Sequence, residues 1–159
     1  MDRIVVKKYK EDDIAVSQSD SEKCIYKVIS GSFALYINYK TENEYLVGIV
    51  SAPNFFGEMT ILTDQSSDYT AVAVGDASLL CIPKSSFDSY IEANPQNAVL
   101  LIKTMAKKIA MLNMNMDMLT KELSELCTAG KVDNDTVRSL AERYSHYTQK
   151  ILPMFLETK

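Results

Sequence analysis

The chain has 159 residues, 47% of them hydrophobic, and its 17 Lys and Arg residues against 21 Asp and Glu residues give a net charge of −4. This size is enough for one packed domain with an appended element, and the acidic balance argues against direct binding to nucleic acid, which requires a basic surface. No segment is apolar and long enough for a signal peptide or a membrane span, so we expect a cytoplasmic protein without a membrane partner.

The three cysteines, Cys24, Cys81 and Cys127, lie far apart in the sequence and lack the spacing of a zinc site. Their odd number also argues against a complete disulfide framework. We expect them to be small buried residues, because free cysteine generally behaves as a small hydrophobe.

Short runs rich in β-branched and aromatic residues occur between Ile4 and Pro83 and predict β-strands. In chain order they are IVV, CIYKVI, FALYINY, EYLVGIV, YTAVAV and SLLCI. Turn-forming residues separate them at SQSDSE, Ser30-Gly31, KTEN and Gly75-Asp76, which favours tight hairpins. The sequence therefore predicts a mostly β fold with C-terminal helices, in which an antiparallel β-barrel or β-roll occupies residues 1–94.

The hydrophobic period changes after Pro83, and helices are predicted from there to the C-terminus. A short helix begins at Lys84, and Asn94-Pro95 begins a long helix over residues 95–127, with proline near its first position. A loop and one further helix are predicted for residues 128–159.

The long helix carries apolar residues at alternating steps of three and four, which is the heptad pattern of a coiled coil. Its first core position holds Ile102, Ile109, Met116 and Leu123, and its second holds Met105, Leu112, Leu119 and Leu126. This distribution favours a parallel two-stranded coiled coil, and therefore a homodimer. The alternative is that the stripe only packs the helix against its own β-domain, although a core-facing helix generally shows a wider stripe.

A second apolar strip, Met111, Met114 and Met118, lies on the long helix away from the heptad positions. In the predicted final helix, apolar residues recur at helical spacing: Val137, Leu140, Tyr144, Tyr147 and Ile151. We expect this helix to cover the methionine strip of its own chain or of a partner chain, although methionine surfaces also serve as adaptable binding sites. The solitary histidine, His146, is expected to pack or face solvent rather than act as a switch.

The order of these features resembles the cyclic nucleotide-binding domain family, which includes catabolite-activator-type bacterial regulators, kinase regulatory subunits and cyclic nucleotide-gated channels. The resemblance is carried by the turn Phe56-Gly57-Glu58, the strand TAVAVGDASLLCIP that follows it, and the preceding IYKVISGSF. It covers Tyr9 to Leu126 and implies a β-roll, or double-stranded β-helix, followed by a long dimerisation helix. The winged helix-turn-helix of the family's transcription regulators is expected to be absent, since residues 127–159 have room for one helix.

The resemblance is partial at the ligand site. It implies that Gly57 lets the backbone approach the sugar phosphate, that Glu58 binds the ribose 2′-hydroxyl, and that N–H groups of the following turn point at the phosphate. The family's phosphate-binding Arg falls at Asp68, and Tyr69 stands where the family has a small residue. The candidate pocket consists of Gly57, Glu58, Met59, Thr60, Asp68, Tyr69 and Thr70.

The segment from Thr41 to Pro83 contains no Lys or Arg. A phosphate would therefore meet like charge, at a cost in affinity on the order of 10²-fold, and ordinary cAMP or cGMP binding is not expected. A rescue by Lys103, Lys107 or Lys108 from the long helix is disfavoured, because lysine lacks the fixed fork geometry of arginine.

Three functions stay open, and none of them is enzymatic. The first is a homodimeric regulatory module that responds to a small-molecule effector, the second is a dimerisation or scaffold module with a vestigial pocket, and the third is the ligand-sensing part of a catabolite-activator-type transcription regulator. A cupin-type metalloenzyme is rejected because its metal site needs two or three histidines, and this chain has one, outside the predicted barrel. No metal or cofactor is predicted.

Overall fold

A computed structural model of the protein describes residues 3–63 and 65–130. The predicted final helix, with His146, and the side chain of Cys127 lie outside the described part of the chain. The chain divides into two compact units, Met1–Ala106 and Lys107–Lys159, and the long helix contributes residues to both.

The first unit is built on six antiparallel strands. They are β1 (Val5–Tyr9), β2 (Ile14–Val16), β3 (Cys24–Ile37), β4 (Tyr45–Ser51), β5 (Phe55–Phe56) and β6 (Thr70–Pro83). The sheet order is β1-β6-β3-β4, with β2 also paired to β6 and β5 to β3. The helices are α1 (Glu58–Leu62), α2 (Lys84–Ala93) and α3 (Pro95–Thr128). The predicted fold class, an antiparallel β-roll followed by a long helix, is confirmed.

The predicted hairpins at Ser30-Gly31 and Gly75-Asp76 are wrong. Both glycines lie inside strands, β3 and β6, which pair with each other, and the register between these strands shifts on either side of Ser30. Gly31 and Gly75 have positive φ angles of 73° and 72°, and a Cβ at Gly31 would lie 2.6 Å from the carbonyl oxygen of Asp76. Each glycine therefore bends a continuous strand through a bulge instead of ending it.

The strands β2 and β5 were not predicted from the sequence. They have three and two residues, respectively, which is too short for a periodic signal. Both are defined by their pairing with the long strands β6 and β3, so their existence depends on contacts remote in the sequence.

Two hydrophobic clusters hold the first unit together. The inner cluster fills the roll around Phe33, Phe56 and Leu79, which are all fully buried. The helix cluster joins the sheet to α1, α2 and α3, and its buried members are Ile25, Phe55, Ile61, Ile82 and Leu101. Phe55 and Phe56 belong to different clusters because successive side chains of a strand point to opposite faces.

Polar groups also tie the first turns of α3 to the roll. The Lys27 ammonium donates to Asn97 Oδ1 at 2.9 Å, and Asn97 Nδ2 donates to the Tyr90 hydroxyl at 2.8 Å. Asn97 is buried, so these hydrogen bonds satisfy its amide and fix the start of α3 against β3 and α2.

In the second unit, the described residues continue α3 to Thr128. None of the side chains described between Lys107 and Thr128 is buried. Gly130 follows with a φ of 65°, the left-handed conformation common just past a helix C-terminus. Within residues 3–63 and 65–130, no helix has both the length and the hydrophobicity of a membrane span.

Candidate functional site

The turn at Gly57 is held in a conformation that glycine adopts readily. Gly57 follows the buried strand β5 and precedes α1, with a φ of 84°. A Cβ at this position would lie 2.9 Å from the carbonyl oxygen of Cys24 and 3.0 Å from the Tyr26 ring. The backbone can therefore make this turn against β3 only without a side chain.

Thr60, in the middle of α1, anchors the turn from the other side. Its hydroxyl donates to the carbonyl oxygen of Cys24 at 2.9 Å and also lies within hydrogen-bonding distance of the Gly57 carbonyl oxygen. The side chain is buried, so this hydroxyl serves the fold and does not face a ligand. Its neighbour Met59 is 38% exposed.

Tyr69 reaches the same turn from the segment just before β6. Its hydroxyl oxygen accepts a hydrogen bond from the Gly57 N–H at 2.7 Å. Its ring packs edge-on against Phe56, with ring centroids 6.3 Å apart, and contacts the inner cluster. A backbone donor of the turn is thus engaged by a side chain of the same protein.

The electrostatic environment of the Tyr69 hydroxyl is negative. Burial raises its pKa above the ordinary value and the charge of Glu58 raises it further; the hydrogen bond from Gly57 opposes this increase, and the charge of Asp68 adds a smaller increase. Glu58 is buried, whereas Asp68 is exposed. The hydroxyl therefore stays protonated, and a second anion placed beside it would be repelled by both carboxylates.

The loop that carries Asp68 and Tyr69 is fixed to the segment before β3. The Ser67 N–H donates to the Asp20 carbonyl oxygen at 3.0 Å, and Thr70 Oγ1 accepts from the Gln18 N–H at 3.0 Å. The Thr70 hydroxyl is consequently engaged with the backbone. The structure thus brings Gly57, Glu58 and Tyr69 together. The hydroxyls of Thr60 and Thr70 form hydrogen bonds with the backbone and stabilise the turn and the loop, respectively.

A cation that the sequence reasoning missed reaches this loop. Lys23 Nζ donates to the carbonyl oxygen of Gln65 at 3.1 Å. Lys23 lies outside the segment from Thr41 to Pro83 that contains no Lys or Arg. It contacts Gln65 because β3, which begins at the next residue, lies beside the loop. A local sequence window contains no signal for this contact.

The long helix provides the second candidate site, an interaction surface. Six of the eight heptad residues are large exposed apolar side chains, with exposed fractions from 39% to 66%: Ile102, Ile109, Leu112, Met116, Leu119 and Leu126. Leu123 is partly buried, and Met105 packs against the helix cluster of its own chain. The methionine strip is also exposed, at 54%, 63% and 52% for Met111, Met114 and Met118.

The predicted burial of Cys24 and Cys81 is confirmed, and both are free thiols. Burial raises the pKa of Cys24 from 9.0 to about 12, with nearby Glu22 adding to the increase. Burial also raises the pKa of Cys81. Both thiols are therefore protonated near neutral pH and poorly nucleophilic. The described residues contain no group of three or more His, Cys, Asp or Glu side chains suited to a metal ion.

Comparison with known proteins gives consistent matches. Residues 6–94 match the family described as "Cyclic nucleotide-binding domain". The chain is 27% identical over 105 residues to the cyclic AMP receptor protein of Thermus thermophilus, covering 66% of this chain and 49% of that protein. It is 24% identical over 117 residues to the global nitrogen regulator of a Nostoc species, covering 72% of this chain and 52% of that protein.

A solved structure shows the same architecture. The catabolite activator protein of Thermus thermophilus matches with a TM-score of 0.62 and 24% sequence identity, over 74% of this chain and 55% of that one. At this identity the likeness establishes the shared fold. This chain spans about half the length of the curated relatives that it matches.

Proposed function

Because this chain belongs to the cyclic nucleotide-binding domain family, we propose that it is a homodimeric regulatory module whose nucleotide site is closed by its own Tyr69. The observation that carries this proposal is the hydrogen bond from the Gly57 N–H to the Tyr69 hydroxyl, at 2.7 Å. The family resemblance assigns this turn to the sugar phosphate of the nucleotide. In this chain a tyrosine oxygen already accepts from it.

A cyclic phosphate at this turn would have to compete with Tyr69. To reach the Gly57 N–H, it would displace a hydroxyl at 2.7 Å and move a ring that packs against Phe56. It would also approach the charges of Glu58 and Asp68, both of which act on the Tyr69 hydroxyl. The opposing charge and the lost packing both weaken binding, so the module does not respond to cAMP or cGMP in the ordinary way.

The homodimer is supported by the apolar heptad residues of α3. Exposed side chains such as Ile109, Leu112 and Leu119, each at least 57% exposed, lie on one side of a single helix at heptad spacing. A contiguous apolar patch of this kind marks an interaction surface. A second copy of the same helix in parallel offers matching knobs and holes, which is why we choose it as the partner.

The regulatory role, without catalysis, is supported by the named relatives, which are described as a receptor and a global regulator. The Tyr69 contact also supports the scaffold alternative, because a turn whose N–H already donates to a side chain of the same protein needs no ligand to be stable. The third alternative, the sensing part of a transcription regulator, rests on the relatives' descriptions alone.

The decisive experiment is calorimetric titration of cAMP and cGMP into the wild-type protein and the double variant Asp68→Arg/Tyr69→Ser. The wild type should show no binding tighter than roughly 0.1 mM, an expectation scaled from about 1.4 kcal/mol per tenfold loss. The double variant frees the Gly57 N–H and supplies a cation, so it should gain measurable affinity. That gain should weaken as the salt concentration rises, because a charge pair carries it.

The single variant Asp68→Arg is the matched control. It carries the same new cation but keeps the Tyr69 hydroxyl on the Gly57 N–H, so its gain should be clearly smaller than that of the double variant. Micromolar binding by the wild-type protein would contradict the closed site. Equal gains in the single and double variants would mean that charge alone, and not Tyr69, excludes the nucleotide.

A further inference from the structure

A second concave site lies at the open end of the β-roll, apart from the Gly57–Tyr69 contact. A cavity of about 730 Å³ opens where β1 and β3 begin and β6 ends. Tyr9 of β1 packs against the inner cluster, and Lys7 and Val5 lie two and four residues earlier on the same strand face. These side chains therefore line the mouth of the roll, with the buried thiols of Cys24 and Cys81 beneath them.

The wall of this cavity is basic although the chain is acidic. Among the described residues that line it, four carry cationic side chains and one, Glu22, carries a carboxylate; the cationic residues are Arg3, Lys7, Lys23 and Lys84. The excess of cationic over acidic side chains among these described residues contrasts with the net charge of −4 for the whole chain. A concave surface lined by one sign of charge focuses the electrostatic potential and attracts ligands of the opposite sign.

The charge of Lys7 acts on the floor of the cavity. Burial raises the pKa of Cys24 and of Cys81, and Lys7 opposes that increase at both thiols. Lys7, Cys24 and Cys81 all line this cavity, so a ligand above the thiols would also lie near this cation. The thiols themselves remain protonated and present a neutral, weakly polar surface.

The remaining lining favours an organic ligand over a bare ion. Val5 and Pro83 add apolar surface to the two thiols. Ser85, in the first turn of α2, brings the positive end of a ten-residue helix to the rim, and the N-cap residue of this helix, Pro83, makes no side-chain hydrogen bond there. The volume lies within the range of about 300–1,000 Å³ typical of small-molecule sites.

We propose that the open end of the β-roll binds a small organic anion, with its phosphate, sulfonate or carboxylate group among the cationic side chains and its apolar body against Val5, Pro83 and the thiols. This site goes beyond the proposed closure at Gly57 and does not depend on it. A protein that keeps its nucleotide turn closed would still respond to such a ligand at a different end of the roll.

The proposal is tested by fluorescence titration of the full chain with two probes of similar shape. One probe is the anion 8-anilinonaphthalene-1-sulfonate, and the other is its uncharged analogue N-phenyl-1-naphthylamine. The Lys7→Glu variant should bind the anionic probe about tenfold more weakly than the wild type. Its affinity for the uncharged probe should change by less than about twofold, because only the apolar contact is shared.

Lys8→Glu is the matched control, since it changes the charge equally on the opposite face of β1 and outside this cavity. It should leave the affinity for both probes within about twofold of the wild type. Equal losses in Lys7→Glu and Lys8→Glu would overturn the site in favour of general surface charge. A wild type that does not discriminate between the two probes would overturn it as well. If Lys7→Glu disturbs folding, the milder variant Lys7→Gln is titrated in its place, and its melting curve checks that it is folded.

Discussion

The β-roll and the second half of α3 differ in where their side chains find partners. In the first unit, apolar residues fill two clusters, the Asn97 amide is hydrogen-bonded, and even the N–H of the Gly57 turn is engaged by Tyr69. From Lys107 to Thr128, by contrast, large apolar side chains lie exposed at regular spacing. The roll has a packed core within one chain, whereas no described side chain from Lys107 to Thr128 is buried, and the proposed partner surface lies there.

The largest effect is expected where that surface is broken. Replacing Ile109 with Glu places a carboxylate in the proposed seam, where an unpaired charge is strongly unfavourable. We expect the protein to change from dimer to monomer, with half the mass in light scattering. Ala110→Glu adds the same charge beside the seam and should leave the mass unchanged. If Ile109→Glu kept the wild-type mass, the seam would not be a dimer interface.

A smaller effect is expected where the same helix packs on its own roll. Leu101→Ala removes a buried member of the helix cluster and should lower the free energy of unfolding by about 2–5 kcal/mol, measured by urea denaturation. Val99, which is 53% exposed on the same helix, is the control, and Val99→Ala should change stability by less than about 0.5 kcal/mol. Similar losses from both variants would remove the distinction between the packed and exposed faces.

The variant Tyr69→Phe tests whether the hydrogen bond from the Gly57 N–H to the Tyr69 hydroxyl stabilises the roll. The variant keeps the ring but leaves the Gly57 N–H without its acceptor, which should lower the free energy of unfolding by about 1–3 kcal/mol. Tyr45, 55% exposed on β4, provides the matched substitution, and Tyr45→Phe should be nearly neutral. An unchanged stability for Tyr69→Phe would show that water replaces the hydroxyl without cost.

The last expected effect is confined to alkaline pH and appears in the dependence of stability on pH. Burial raises the pKa of Tyr9 from 10.0 to about 12 and that of Cys24 from 9.0 to about 12. Because both groups ionise at lower pH in the unfolded chain, their contribution to stability should be constant from neutral pH to about pH 9 and fall between about pH 9 and 12, by at most about 1.4 kcal/mol per pH unit for each group.

The variant Cys24→Ala isolates one of these contributions. It should lose less stability than the wild type between about pH 9 and 10, when each is compared with its own value at neutral pH. Denaturation midpoints at several pH values provide the measurement. Parallel curves for the two proteins would mean that Cys24 ionises as readily in the folded state as in the unfolded chain.

Much of the candidate site was predictable, but the contact between Tyr69 and the Gly57 turn was not. The turn Phe56-Gly57-Glu58 and the acidic residue Asp68 can be identified from the sequence, and so can the unusual bulk of Tyr69. That the Tyr69 hydroxyl meets the Gly57 N–H depends on the path of a loop fixed by Ser67 and Thr70 to another part of the chain. A tyrosine pointing to solvent would have the same sequence signature.

The amino-acid sequence by itself determined the β-rich first part, the helix that begins at Pro95, the heptad spacing on that helix and the family, because periodicity, turn chemistry and spaced motifs are local signals. Only the tertiary structure decided that Gly31 and Gly75 bend strands without ending them, that Met105 packs on its own roll, and that Lys7, Cys24 and Cys81 line one cavity at the mouth of the roll. These outcomes depend on strand register, on bulges and on side-chain direction over a few ångströms. Those quantities follow from the packing of segments far apart in the chain, which no local window contains.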